Sequence, residues 1–147
     1  MQREITRFSQ RLRGIFEAEA ANIELPNFIH FPKNCCQLAS LYLGVLINAR
    51  FPTAHIELIH GCNKLMHENH YWLVVNGFSY DITADQFDGV NMPLYAGLSN
   101  PLMASFSTQQ STELMLAFNE YNKLDKEKKL TVLDELEYLL AQPCAPY

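Results

Sequence analysis

Apolar positions recur along the chain with three different periods, and each period predicts a different element. Between residues 3 and 20, Ile5, Phe8, Leu12, Ile15 and Phe16 fall on one stripe with Arg and Gln between them, which predicts an amphipathic helix. Pro26 and Pro32 bracket "PNFIHFP", an extended link that cannot be helical throughout. From Cys36 the pattern closes into "CQLASLYLGVLINA", apolar on every side. This predicts a buried helix with Leu38, Leu41, Tyr42, Val45 and Leu46 in the core, small residues Ala39, Ser40 and Gly44 allowing close packing, and Asn34 as N-cap. "FPTAHIELIHG" then reads as a loop and a strand, and residues 70 to 75 and 78 to 83 as two more strands around Asn76-Gly77. Residues 88 to 110 hold Gly89, Pro93, Gly97 and Pro101 among scattered apolar positions, which predicts a loop-rich excursion with room for a short strand. Two helices close the chain, from about Thr112 to Lys123 and from about Thr131 to Gln142. The second carries Leu133, Leu136, Leu139 and Leu140 on one face and is stopped by Pro143. Helices, then an antiparallel sheet, then helices predict an α+β fold, and residues 1 to 147 read as a single domain without repeats.

The Asn76-Gly77 turn dictates a register. A two-residue turn there pairs Val75 with Phe78, Val74 with Ser79, Leu73 with Tyr80, Trp72 with Asp81, Tyr71 with Ile82 and His70 with Thr83. Side chains alternate, so His70 and Trp72 share a face with Asp81, while Leu73, Val75 and Tyr80 point to the core. Diagonal neighbours such as His70 and Asp81 have Cβ atoms about 7 Å apart, a gap that imidazole and carboxylate can bridge.

Composition narrows the function classes. With 48% hydrophobic and 18% charged residues, the chain of 147 can bury a sound core. A net charge of -5, with eleven scattered Lys and Arg, argues against nucleic acid. No apolar run reaches membrane-span length, and "MQREITRFSQRLRGIF" lacks the apolar stretch of a signal peptide. Cys35, Cys36, Cys62 and Cys144 form no disulfide framework, so the expectation is a reduced cytoplasmic protein; an effector injected into another cell would carry the same features.

A helix-start cysteine, a strand histidine and a face-sharing aspartate are the parts of a thiol acyl-transfer device. A thiol needs a base, and the base needs a group to hold its tautomer and ring plane. Unpaired N–H groups in the first helical turn favour thiolate and can donate to an oxyanion. This assigns Cys36, His70 and Asp81 as nucleophile, base and orienter, with Cys35 and Asp85 as alternates and no cofactor required. Trp72 walls the site, and the pocket lies between the Cys36 helix and the His70 strand under a roof of residues 88 to 110. Two other classes compete. His60, Cys62, His67 and His70 offer zinc-type ligands at a spacing matching no common structural zinc pattern, and a catalytically silent interaction module could use the same fold, with "TVLDELEYLL" as a partner surface.

The residues also carry a resemblance. Cys36 opening an apolar helix, followed by "HYWLVV-NG-FSYDITADQF", resembles the transglutaminase-like and papain-like cysteine hydrolase superfamily over residues 28 to 87. "FPKNCCQLAS" and "DITADQF" look like a group of small bacterial proteins. The resemblance implies a nucleophilic cysteine at the start of a central helix, with His and Asp on successive strands. It also implies a protein or peptide substrate processed by proteolysis, glutamine deamidation or amine crosslinking. Counting "C-x-x-x-A" selects Cys35, and counting "FP-x-x-x-C-x-x-A-S" selects Cys36. Papain-like enzymes usually place a Gln upstream for the oxyanion. The nearest one here, Gln10, belongs to another predicted helix, leaving backbone amides and Asn34 to serve.

Overall fold

In the computed structural model, described over residues 1–143, the apolar segment after the cysteine doublet is the centre on which the other elements pack. Its helix, α2 (Cys36–Arg50), buries ten consecutive residues from Leu38 to Ile47. A helix apolar on all sides must be covered on all sides, and it is. The amphipathic α1 (Gln2–Ala18) brings Ile5, Leu12 and Phe16 against it, and a five-stranded sheet covers the opposite side. Two helices complete the cover: α3 (Leu114–Glu120) and α4 (Lys126–Ala141), the latter through Val132, Leu136 and Leu140 at i, i+4 and i+8. The fold is α+β, helices packed on a small antiparallel sheet. Among the described residues no helix is long and apolar enough to cross a membrane.

The strands are β1 (Ile56–Asn63), β2 (Glu68–Val75), β3 (Phe78–Asp81), β4 (Leu94–Gly97) and β5 (Thr108–Glu113), in the order β4-β3-β2-β1-β5. Asn76 and Gly77 both take positive φ, 50° and 85°, as the tight turn requires. The predicted register holds for Val75–Phe78, Val74–Ser79 and Leu73–Tyr80. The three pairs expected beyond, Trp72–Asp81, Tyr71–Ile82 and His70–Thr83, do not form. β3 ends at Asp81, and an irregularity between Ser79 and Asp81 swings it toward β4. The sheet separates two clusters. Ile56, Leu58, Leu73, Val75 and Tyr80 join the α2 core, whereas Ile59 and Trp72 join Ala84, Leu102 and Phe106 on the other face.

Several boundaries differ from expectation. Asn34 is not the N-cap of α2: it sits at φ 58°, and Cys35 occupies the cap position without a side-chain hydrogen bond. Thr112 and Glu113 belong to β5, and Glu113 caps α3 by accepting from the Met115 and Leu116 amides at 3.0 and 2.9 Å. Asp125 caps α4 five residues earlier than the apolar pattern indicates, accepting from Lys128 N–H at 2.8 Å. The excursion 88 to 110 contains β4 and the first residues of β5.

Candidate active site

Where β2 and β3 part, His70 and Asp81 bridge the gap. His70 Nε2 lies 2.6 Å from Asp81 Oδ2, and both side chains are buried, 0% and 1% exposed. Parity alone brings them to one face, and the bond follows. The carboxylate is fixed from three further directions. Its Oδ1 accepts from Thr83 N–H at 3.2 Å and from Thr83 Oγ1 at 3.4 Å, because the chain turns just past β3. Its Oδ2 also accepts from Asn100 Nδ2 at 2.9 Å. Around the imidazole stands an aromatic cage: Phe87 edge-on at 4.8 Å between centroids, Phe106 at 5.5 Å and Trp72 at 5.7 Å. Trp72 therefore walls the base itself. Gly61 makes room for that packing, since a Cβ there would stand 2.7 Å from Phe106 Cβ and 2.9 Å from the Trp72 ring.

The other ring nitrogen, Nδ1, is buried and makes no hydrogen bond among the described residues. Burial strongly disfavours the imidazolium. The Asp81 hydrogen bond, then the Cys36 thiol beside the ring and the charges of both groups, outweigh it and raise His70 from 6.5 to about 9. Cys36 is thus a neighbour of the ring without closing a bond to Nδ1. That is common for a catalytic pair before substrate arrives, when such bonds are long. Cys36 is half-buried and lines a cleft of about 380 Å³. Asn34, Gln37, Asn69, Tyr71, Tyr121 and Lys123 are among its other walls. The first N–H groups of α2 open beside it, with no side-chain cap to occupy them.

The structure separates each pair of alternates. Cys35 is 2% exposed, and its Sγ donates to the carbonyls of Lys33 at 3.1 Å and Asn27 at 3.2 Å. Burial, with the Cys36 charge beside it, pushes the Cys35 thiol up to about 12. Asp85 is taken by Arg13, which holds both its oxygens at 2.6 and 2.7 Å. Asn34 does line the cleft, and its own N–H donates to Gln86 Oε1 at 3.3 Å. The expected roof is a correction. Residues 88 to 110 cover the His70–Asp81 pair through Asn100, Leu102 and Phe106, whereas the far wall of the cleft comes from Tyr121 and Lys123 after α3.

The zinc-type residues do not converge, and no group of three or more His, Cys, Asp or Glu among the described residues is arranged to hold a metal ion. His60 and Cys62 point to the face of Tyr71, His70 to the other, and His67 sits exposed at φ 52° in the β1–β2 turn. Cys144 lies outside the described residues. Sequence reasoning missed Asn100, Phe87 and Phe106. "SNP" at 99–101 signals a turn and nothing more.

No family model, curated protein or solved structure matches the chain.

Proposed function

We propose that the protein is a thiol acyl-transfer enzyme of the transglutaminase-like or papain-like kind, acting on a carboxamide or peptide bond. One observation carries the reading: a buried, acid-braced imidazole whose second nitrogen lacks a partner, beside a half-exposed helix-start thiol in an open cleft. His70 takes the thiol proton at Nδ1, the nitrogen that has no other partner among the described residues. Cys36 Sγ attacks the substrate carbonyl carbon, and the first amides of α2 donate to the oxyanion that forms. His70 Nδ1 then gives its proton to the departing amine, leaving a thioester on Cys36. Water, deprotonated by His70, resolves it to an acid; an amine resolves it to a new amide. Asp81 stays ionised throughout and holds the ring. The free thiols of Cys35, Cys36 and Cys62 fit a reducing, cytoplasmic setting.

The test is intact-mass labelling with a limiting thiol alkylator near neutral pH, on wild type and on Cys35→Ala, Cys36→Ala and His70→Ala. Rapid single-site labelling that disappears with Cys36→Ala and slows with His70→Ala is expected. Sluggish, equal modification of all exposed thiols sinks the proposal. That outcome favours the silent interaction module, a reading supported by the complete burial of His70.

A further inference from the structure

We infer that Asn100 is a positioning residue for this site, holding the plane of the Asp81 carboxylate and through it the ring of His70. Asn100 is 2% exposed and makes two hydrogen bonds that fix which way its amide faces. Its Oδ1 accepts from Leu102 N–H at 3.0 Å, so the side of the amide turned to Asp81 is the NH₂ group, donating to Oδ2 at 2.9 Å. A carboxylate offers about four acceptor positions. Here His70 and Asn100 take those on Oδ2, and Thr83 takes those on Oδ1 through its N–H and hydroxyl. Rotating the carboxylate breaks several of these bonds at once.

Thr83 alone does not set the plane. Both its bonds fall on one oxygen and come from a residue two positions along the same chain, so they can swing with it. Asn100 arrives from a separate segment, after β4, and pins the oxygen that His70 uses. The same segment carries Leu102 and Phe106, and Phe106 packs on the imidazole. One piece of chain thus supplies the clamp on the acid and part of the wall around the base. The titratable groups facing His70 are Asp81 from β3 and Cys36 from α2; its other close neighbours, Trp72, Phe87 and Phe106, carry no charge. Because burial is the largest influence on His70 and drives its proton affinity down, any loosening of Asp81 lowers the titration midpoint of the ring.

The inference rests on the acyl-transfer reading for its rate measurement but not for its titration. The experiment is a double-mutant cycle on the alkylation rate of Cys36, with Asn100→Ala, Asp81→Ala and the pair. Asn100→Ala slows labelling about tenfold to a hundredfold, the cost of a small misplacement. In the Asp81→Ala background the same change costs less than about twofold, as for residues acting through one another. Equal losses in both backgrounds reduce Asn100 to a structural residue and overturn the inference. NMR titration of the His70 ring gives the independent arm: Asn100→Ala lowers its midpoint, and an unmoved or raised midpoint overturns the inference whatever Cys36 does. A lowered midpoint in a protein whose Cys36 labelling ignores His70→Ala sinks only the acyl-transfer reading. If Asn100→Ala fails to fold, Asn100→Ser takes its place, since it keeps an acceptor for the Leu102 amide but is too short to reach Asp81.

Discussion

The molecule carries two cysteine–histidine pairs, one within β1 and one between α2 and β2, and they are built differently. Cys62 Sγ lies 3.6 Å from His60 Nε2, and the Asn69 side-chain oxygen is 2.8 Å from that ring and 3.3 Å from that sulfur. By distance alone this pair would pass for a catalytic one. Yet the His60 ring lies flat on Tyr71 at 4.4 Å, half-exposed, and the oxygen behind it belongs to a neutral amide. In the pair of Cys36 and His70 the ring is fully buried and backed by a carboxylate whose lone pairs are already engaged. The contrast teaches that proximity of thiol and imidazole is cheap on a strand, where i and i+2 point the same way. What is costly is a charge behind the ring in a dry chamber, and only one face has it.

The strongest way to break this contrast is Cys36→Ala, which abolishes rapid alkylation while the half-buried Cys62 still labels slowly; intact mass reads both. His70→Ala and Asp81→Asn come next, each lowering the Cys36 rate by about 10²–10⁴, the usual worth of a positioned base and of its correct tautomer. Turnover of a glutamine-containing peptide, followed by ammonia release or mass shift, moves in parallel.

The third effect is on stability. The folded-state value of His70 is raised from 6.5 to about 9. The stabilisation from protonating it is therefore full below about pH 6.5 and is lost as pH rises through about 9. Urea-unfolding midpoints of the wild type fall across that window, and His70→Gln removes this part of the slope. A wild-type midpoint that climbs between pH 6.5 and 9 contradicts the ion-paired chamber. Smaller still is Gly61→Ala, which forces a methyl against Phe106 and Trp72 and costs about 1–3 kcal/mol by overpacking. It lies between His60 and Cys62 in sequence, yet the damage falls on the His70 side. The smallest effect expected is that of His60→Ala or Cys62→Ser: within about 0.5 kcal/mol in stability and without change in the Cys36 rate.

Much of this was legible beforehand for identifiable reasons. Asn76-Gly77 fixes a two-residue turn, and a turn of known length fixes parity, so His70 and Asp81 follow from residue types alone. The closed apolar run after Cys36 announces the central helix. The choice between Cys35 and Cys36 was not legible, because it depends on which one the chain turns inward before the helix starts. β5 was invisible because "TQQSTE" is an exposed edge strand, where neither face is buried enough to impress a period of two on the sequence. The first turn of α4 was missed for a related reason: its lysines and glutamate carry no apolar rhythm, while Asp125 alone supplies the start. Asn100 was out of reach because it meets Asp81 only through tertiary folding, 19 positions away in the chain.

The tight turn at Asn76-Gly77 has a consequence for what change this chain can absorb. A single residue inserted between Tyr71 and the turn would invert every side chain before it: Tyr71 would face the aromatic chamber and His70 would turn away from Asp81. Substitutions along this hairpin can be graded, but its count of residues cannot, so in this stretch arithmetic constrains the chain more strictly than chemistry.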